Sequence, residues 1–112
     1  MSESENKYQN GLIYKLYCKD KAITDIYVGS TTTFYARRRK HKSNTKTKTQ
    51  KVYSFIREHG GWDNWIMHLI EYHPCNCKAE LIAREAIMAK LHKASLNTQK
   101  QSRTPKQYRN MS

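Results

Sequence analysis

Carboxylates are scarce in this chain. Nine Asp and Glu stand against 21 Lys and Arg, giving a formal net charge of +12 over 112 residues. Such a balance makes nucleic acid the leading partner and an acidic membrane surface a weaker one. Glycine (four) and proline (two) are also few, which excludes a collagen-like or Pro/Gly-rich low-complexity chain. Of the three cysteines, Cys75 and Cys77 are one residue apart and Cys18 is far away. Three cannot all pair, so free thiols in a reducing compartment are the simpler reading. No apolar run approaches the roughly 20 residues that a membrane helix needs, and MSESENKYQN lacks an apolar signal segment. The expectation is an intracellular protein, in cytoplasm or nucleus, with no membrane partner.

What is present is polarised. Eight Lys or Arg and no acid lie between Arg37 and Lys51, and six more basic residues follow Glu85, again with no acid. Glu85 is therefore the last carboxylate. Its neighbours at i±3 and i±4 on a helix over 80–92 are Leu81, Ile82, Met88 and Ala89. Taking an ionised carboxylate out of water costs several kcal/mol, on the order of breaking a buried ion pair, unless it is paired or holds a metal. A lone acid on an apolar face of a basic protein therefore suggests a metal ligand facing a bound polyanion.

The length suits one domain with a modest core. Residues 1–9 read as frayed. Leu12, Tyr14, Leu16 and Cys18 alternate with Ile13, Lys15 and Tyr17, the pattern of a strand, and residues 25–30 (DIYVGS) form its returning partner after a hairpin loop. Gly29 lies on the face of Tyr27 and leaves an empty place beside that ring. The run Ser30 to Thr33 offers N-caps for a helix from Phe34, on which Arg37 and His41 project side by side at i and i+4. Residues 42–50 contain no apolar side chain and read as a mobile basic loop. Val52, Phe55, Ile56 and His59 repeat at helical spacing before the Gly60-Gly61 stop. Residues 65–72 (WIMHLIEY) fit a central strand, and from Lys93 a polar basic tail begins.

Ile13-Tyr14, Tyr27-Val28-Gly29, Arg37, His41, Glu85 and Asn97 occur in an order, and on element types, that resemble the GIY-YIG nuclease family. The first motif reads Gly11-Leu12-Ile13-Tyr14, with its glycine one residue early, and residues 42–51 carry no histidine. The resemblance implies an α/β fold, a small three-stranded antiparallel sheet flanked by helices, over residues 1–97, with 98–112 as a basic tail. It also implies an endonuclease that hydrolyses DNA with one divalent cation, Mg²⁺ or Mn²⁺, held by Glu85. Tyr14 and Tyr27 match the family's paired tyrosines, Arg37 its phosphate-contacting arginine, His41 its helix histidine and Asn97 its late asparagine. Tyr14 is the preferred base or water-positioning group, and the reverse assignment of the two tyrosines stays open. Arg37, Lys15 or the metal would favour the phenolate.

Arg38, Lys40, Lys42, Lys46, Lys48 and Lys51 are expected to track the phosphate backbone, giving affinity with little sequence choice. Oligomeric state is open, with a homodimer as one option. Two other readings compete. One is a DNA- or RNA-binding module without catalysis. The other is a zinc-stabilised interaction domain built on His73, Cys75 and Cys77 with His68 or Cys18, although C-x-C is tighter than usual zinc spacing.

Overall fold

A computed structural model describes residues 6–97 of the chain. The basic tail, including Lys100, Arg103, Lys106 and Arg109, lies outside the described residues, as do residues 1–5. Strands β1 (Leu12–Cys18), β2 (Ile26–Thr31) and β3 (Trp65–Tyr72) make one antiparallel sheet in the order β2-β1-β3. Helices α1 (Phe34–Thr47) and α2 (Lys51–Glu58) follow the β1–β2 hairpin, and α3 (Lys78–Leu91) follows β3. The fold is thus the expected α/β arrangement of three antiparallel strands flanked by helices.

Alternation along β1 divides the apolar residues into two cores. Leu12, Tyr14, Leu16 and Cys18 face α2, where they meet Val52, Tyr53 and Ile56 together with Trp65, Met67 and Leu96. Ile13 faces the other way and packs with Val28, Cys75, Leu81 and Met88 beneath α3. Because β1 is covered on both sides, it is the central strand. The expectation of a central position for residues 65–72 is corrected: β3 is an edge, and its apolar density reflects Trp65 and Met67 reaching the α2 core.

Three further expectations change. The stretch expected as a basic loop is helical to Thr47. Lysine is a good helix former, so lack of apolar residues does not break a helix, and this end is tied down from outside. Thr45 is buried, and Arg57 Nη1 donates to the carbonyls of Thr45 and Lys48, both at 2.8 Å. Residues 7–10 are a 3₁₀ turn (Lys7–Asn10) rather than frayed chain, capped by Asn6 and held by the Cys75 amide, which donates to the Tyr8 carbonyl at 2.9 Å. Residues 93–97 belong to the fold, since Leu96 is buried and its amide donates to Ile26 O at 3.0 Å.

Thr33 occupies the N-cap position of α1 without a side-chain bond there; instead the Thr31 hydroxyl accepts from the Thr33 amide at 3.0 Å. At the end of α2, Gly60 takes a positive φ of 98°, and the Gly61 amide returns to Ile56 O at 2.9 Å, which closes the helix as the glycine pair predicts. No helix among the described residues is long and apolar enough to cross a membrane.

Candidate active site

The site straddles the edge strand β2. Tyr27, Gly29 and the cross-strand residue Tyr14 lie on its α1 side, while Ser30 faces α3. Tyr14 pairs with Gly29 across the ladder. A Cβ on Gly29 would come within 2.5 Å of Tyr14 Oη and 2.6 Å of its Cζ. The empty place expected beside Tyr27 is therefore filled by the Tyr14 ring, and glycine is there so that the phenol can cross the strand.

Helix α1 supplies its partners from one stripe. Phe34, Arg37, His41, Asn44 and Thr45 recur at helical spacing and are the residues of α1 that are at least half-buried. His41 is 2% exposed, with Nε2 at 2.7 Å from Tyr14 Oη and Nδ1 at 2.9 Å from Tyr53 Oη. Asn44 Nδ2 donates to the same Tyr53 oxygen at 3.1 Å. The neutral ring has one N–H, so it donates to one of the two phenols and accepts from the other: an Nε2–H ring donates to Tyr14 Oη and accepts from Tyr53, and an Nδ1–H ring does the reverse. Trp62 stacks against the imidazole at 6.4 Å between centroids, and the Tyr27 ring meets it edge-on at 5.7 Å.

Burial dominates the electrostatics. It lowers the His41 pKa to about 4, with Arg37 and Lys40 adding to the effect, so the imidazole is neutral. Burial likewise raises Tyr27 to about 12 and lifts Tyr14 further, beyond the usual phenol range. The Glu85 charge raises both phenols and Arg37 pulls both back. Lys15 does not take part, because it lies on the opposite face of β1 with its ammonium over the Tyr17 ring.

Glu85 reaches β2 from the other side of the sheet. Its Oε1 accepts from Ser30 Oγ at 2.5 Å, and burial holds its pKa above the ordinary value against the opposing pull of Ser30 and Arg37. Arg84 turns away, as its sequence position predicts, and pairs with Glu71 at 2.5 Å. Among the described residues Glu85 has no ion pair within 4 Å, and no three His, Cys, Asp or Glu gather into a metal-ligating group. A half-buried carboxylate with this donor set fits a hydrated hard cation, since Mg²⁺ keeps several waters and uses one or two carboxylates. Two cavities of about 530 Å³ flank it, one lined by Arg37, Lys7 and Lys78, the other by Lys90, Lys93 and Asn97. Of the zinc candidates, Cys18 is in the α2 core, Cys75 is in the α3 core and Cys77 is exposed.

Asn97 is held along the outer edge of β2. Its Oδ1 accepts from the Val28 amide at 2.8 Å and its Nδ2 donates to the Val28 carbonyl at 2.7 Å, a side-chain amide taking the place of a neighbouring strand. Arg38, Lys40, Lys42, Lys46, Lys48 and Lys51 are all exposed along α1 and its junction with α2. Sequence reasoning missed three residues: Ser30 as the Glu85 partner, and Tyr53 and Asn44 behind His41. The last two had a signal, since Asn44 continues the Arg37–His41 stripe and Tyr53 adjoins Val52 on an amphipathic helix.

The GIY-YIG catalytic domain family matches residues 10–100 of the chain. Neither the curated proteins nor the solved structures yield a match.

Proposed function

The chain belongs to the GIY-YIG catalytic domain family, a nuclease family, and from that premise we propose that it is a divalent-metal-dependent endonuclease hydrolysing DNA phosphodiester bonds. The observation that carries this reading is the meeting of Tyr14, Tyr27, Arg37, His41 and Glu85, from four elements, around one strand edge.

Hydrolysis requires an activated water, stabilisation of the phosphoryl oxygens and help for the leaving alkoxide. Arg37 offers a permanently charged fork that matches a phosphate bidentately. Tyr14 is the base in its phenolate form: it takes a proton from the attacking water as the new P–O bond forms and the scissile P–O bond breaks. His41 Nε2–H and Arg37 both stabilise the charged oxygen of Tyr14. Tyr27 positions the water and stands in for Tyr14 if the roles are exchanged. Mg²⁺ or Mn²⁺ held by Glu85 would neutralise the carboxylate that raises both phenols and act as Lewis acid on the phosphoryl and leaving oxygens. Asn97 acts at one remove, fixing the β2 backbone between Tyr27 and Gly29. The α1 lysines and Arg38 contact backbone phosphates, so intrinsic sequence specificity is low or based on DNA shape.

Plasmid incubated with Mg²⁺ or Mn²⁺ tests the proposal against a binding-only module. Cutting is expected to stop with EDTA and in Glu85→Ala. Cutting that survives either treatment, or its absence in the wild type under every divalent cation, overturns the mechanism.

A further inference from the structure

A cleft between the start of α1 and the end of β3 takes no part in the chemistry described above. Leu12, Phe34, Tyr35, Leu69 and Tyr72 line about 300 Å³, the small end of the range for ligand sites. Tyr35 is 73% exposed and Tyr72 is 70% exposed, although both are large aromatics.

The fold aims Tyr72 there through an irregularity. Tyr14 pairs with Leu69 but Ile13 pairs with Glu71, so Ile70 is an extra residue in β3. In an unbroken strand Leu69 and Tyr72, three residues apart, would point to opposite faces. The bulge restores Tyr72 to the face of its partner Leu12, the face that also carries Tyr14. The cleft therefore adjoins the reacting groups: Leu12 is two residues from Tyr14, Leu69 is Tyr14's cross-strand partner, and Tyr35 precedes Arg37 by two residues.

We propose that this cleft is a stacking slot for one unpaired nucleobase of the strand being cut, walled by Tyr35 and Tyr72. The proposal rests on the nuclease reading and names the substrate feature that reading lacks. Charge complementarity selects the occupant. Arg38 and Arg39 lie at i+3 and i+4 from Tyr35, both exposed, and α1 carries six Lys or Arg and no acid. A base brings its own flanking phosphates to those arginines, whereas a protein partner needs roughly 1,000 Å² or more of buried interface. Bases within a duplex are already stacked, so the slot takes one only from a single-stranded, mismatched or extruded position.

The test is binding of the full chain, in EDTA to prevent cutting, to a fluorescein-labelled single-stranded oligonucleotide and to an abasic strand of equal length. Tyr35→Ala and Tyr72→Ala should each raise Kd for the base-containing strand between about 5- and 150-fold. Tyr35→Phe and Tyr72→Phe should bind like wild type, and all variants should bind the abasic strand alike. Alanine variants that bind the base-containing strand as wild type does, or that weaken equally on the abasic strand, overturn the slot. So do variants that alter sedimentation and leave nucleic-acid affinity unchanged, which would assign the cleft to a second copy of the chain. Failure of the nuclease reading looks different. The wild type would then leave plasmid uncut under every divalent cation, while the binding comparison in EDTA still decides the slot.

Discussion

Gly29 is the residue on which the phenol geometry turns. Any side chain there enters the space of the Tyr14 ring, so Gly29→Ala must push the phenol off its bond to His41. Overpacking of this kind costs about 1–3 kcal/mol, and the expected result is a lower thermal midpoint together with loss of cutting. His41 supplies a second prediction. Its folded pKa of about 4 lies below the ordinary value of 6.5, so the unfolded state binds the extra proton. The stability due to this difference is complete above pH 6.5 and is lost as pH falls toward 4, on the order of 3 kcal/mol. Denaturant unfolding across that window measures it, and His41→Gln should flatten the slope. The phenolate role proposed for Tyr14 calls for an Nε2–H ring, which nitrogen-15 chemical shifts should report, with a change in Tyr53→Phe, which removes the hydroxyl facing Nδ1; an Nδ1–H ring in the wild type would reverse the chain of donors. Arg37, His41 and Glu85 were legible as candidates because their types and spacing suit phosphate chemistry. That Lys15 is not a partner was not, because a neighbour in sequence on a strand points to the opposite face.

Among the elements, α1 departs most from its sequence. It buries only His41 and Thr45, so nothing in its apolar pattern marks its last turns. Those turns are held instead by Arg57, from the next helix, on two of their terminal carbonyls. Arg57→Ala should expose amides from Lys42 onward to faster hydrogen exchange while the first half of α1, anchored through His41, keeps its protection. Equal exchange in both halves would show that the helix stands without this brace. The strands were easier to read, since their alternation follows from backbone geometry, and β1, β2 and β3 all fall within a residue or so of expectation. Their order in the sheet was not readable: apolar density marked β3 for the centre, yet two-sided packing gave that place to β1.

At the scale of the molecule, the exposed cations of α1 should dominate affinity. Binding to duplex DNA is expected to weaken steeply with salt, and Gln replacements at Lys40, Lys42 and Lys46 should shallow the log–log slope by about 1 for each phosphate no longer neutralised. Binding indifferent to salt would contradict the electrostatic account. The same scale decides the candidate site. The amino-acid sequence by itself determined the charge, the α/β element order and the family, because composition and hydrophobic period are local properties and the motif residues keep their order along the chain. It also singled out Glu85, since a lone acid among apolar neighbours is costly wherever the helix packs. Only tertiary structure brought that acid to Ser30 from one face of the sheet and the tyrosines to His41 from the other, around the edge of β2. Only tertiary structure set Tyr53 and Asn44 behind the imidazole and turned Tyr72 by a bulge. Those contacts join residues far apart in the chain through the packing of two cores on one small sheet, and no local pattern encodes which distant side chain will fill a given space.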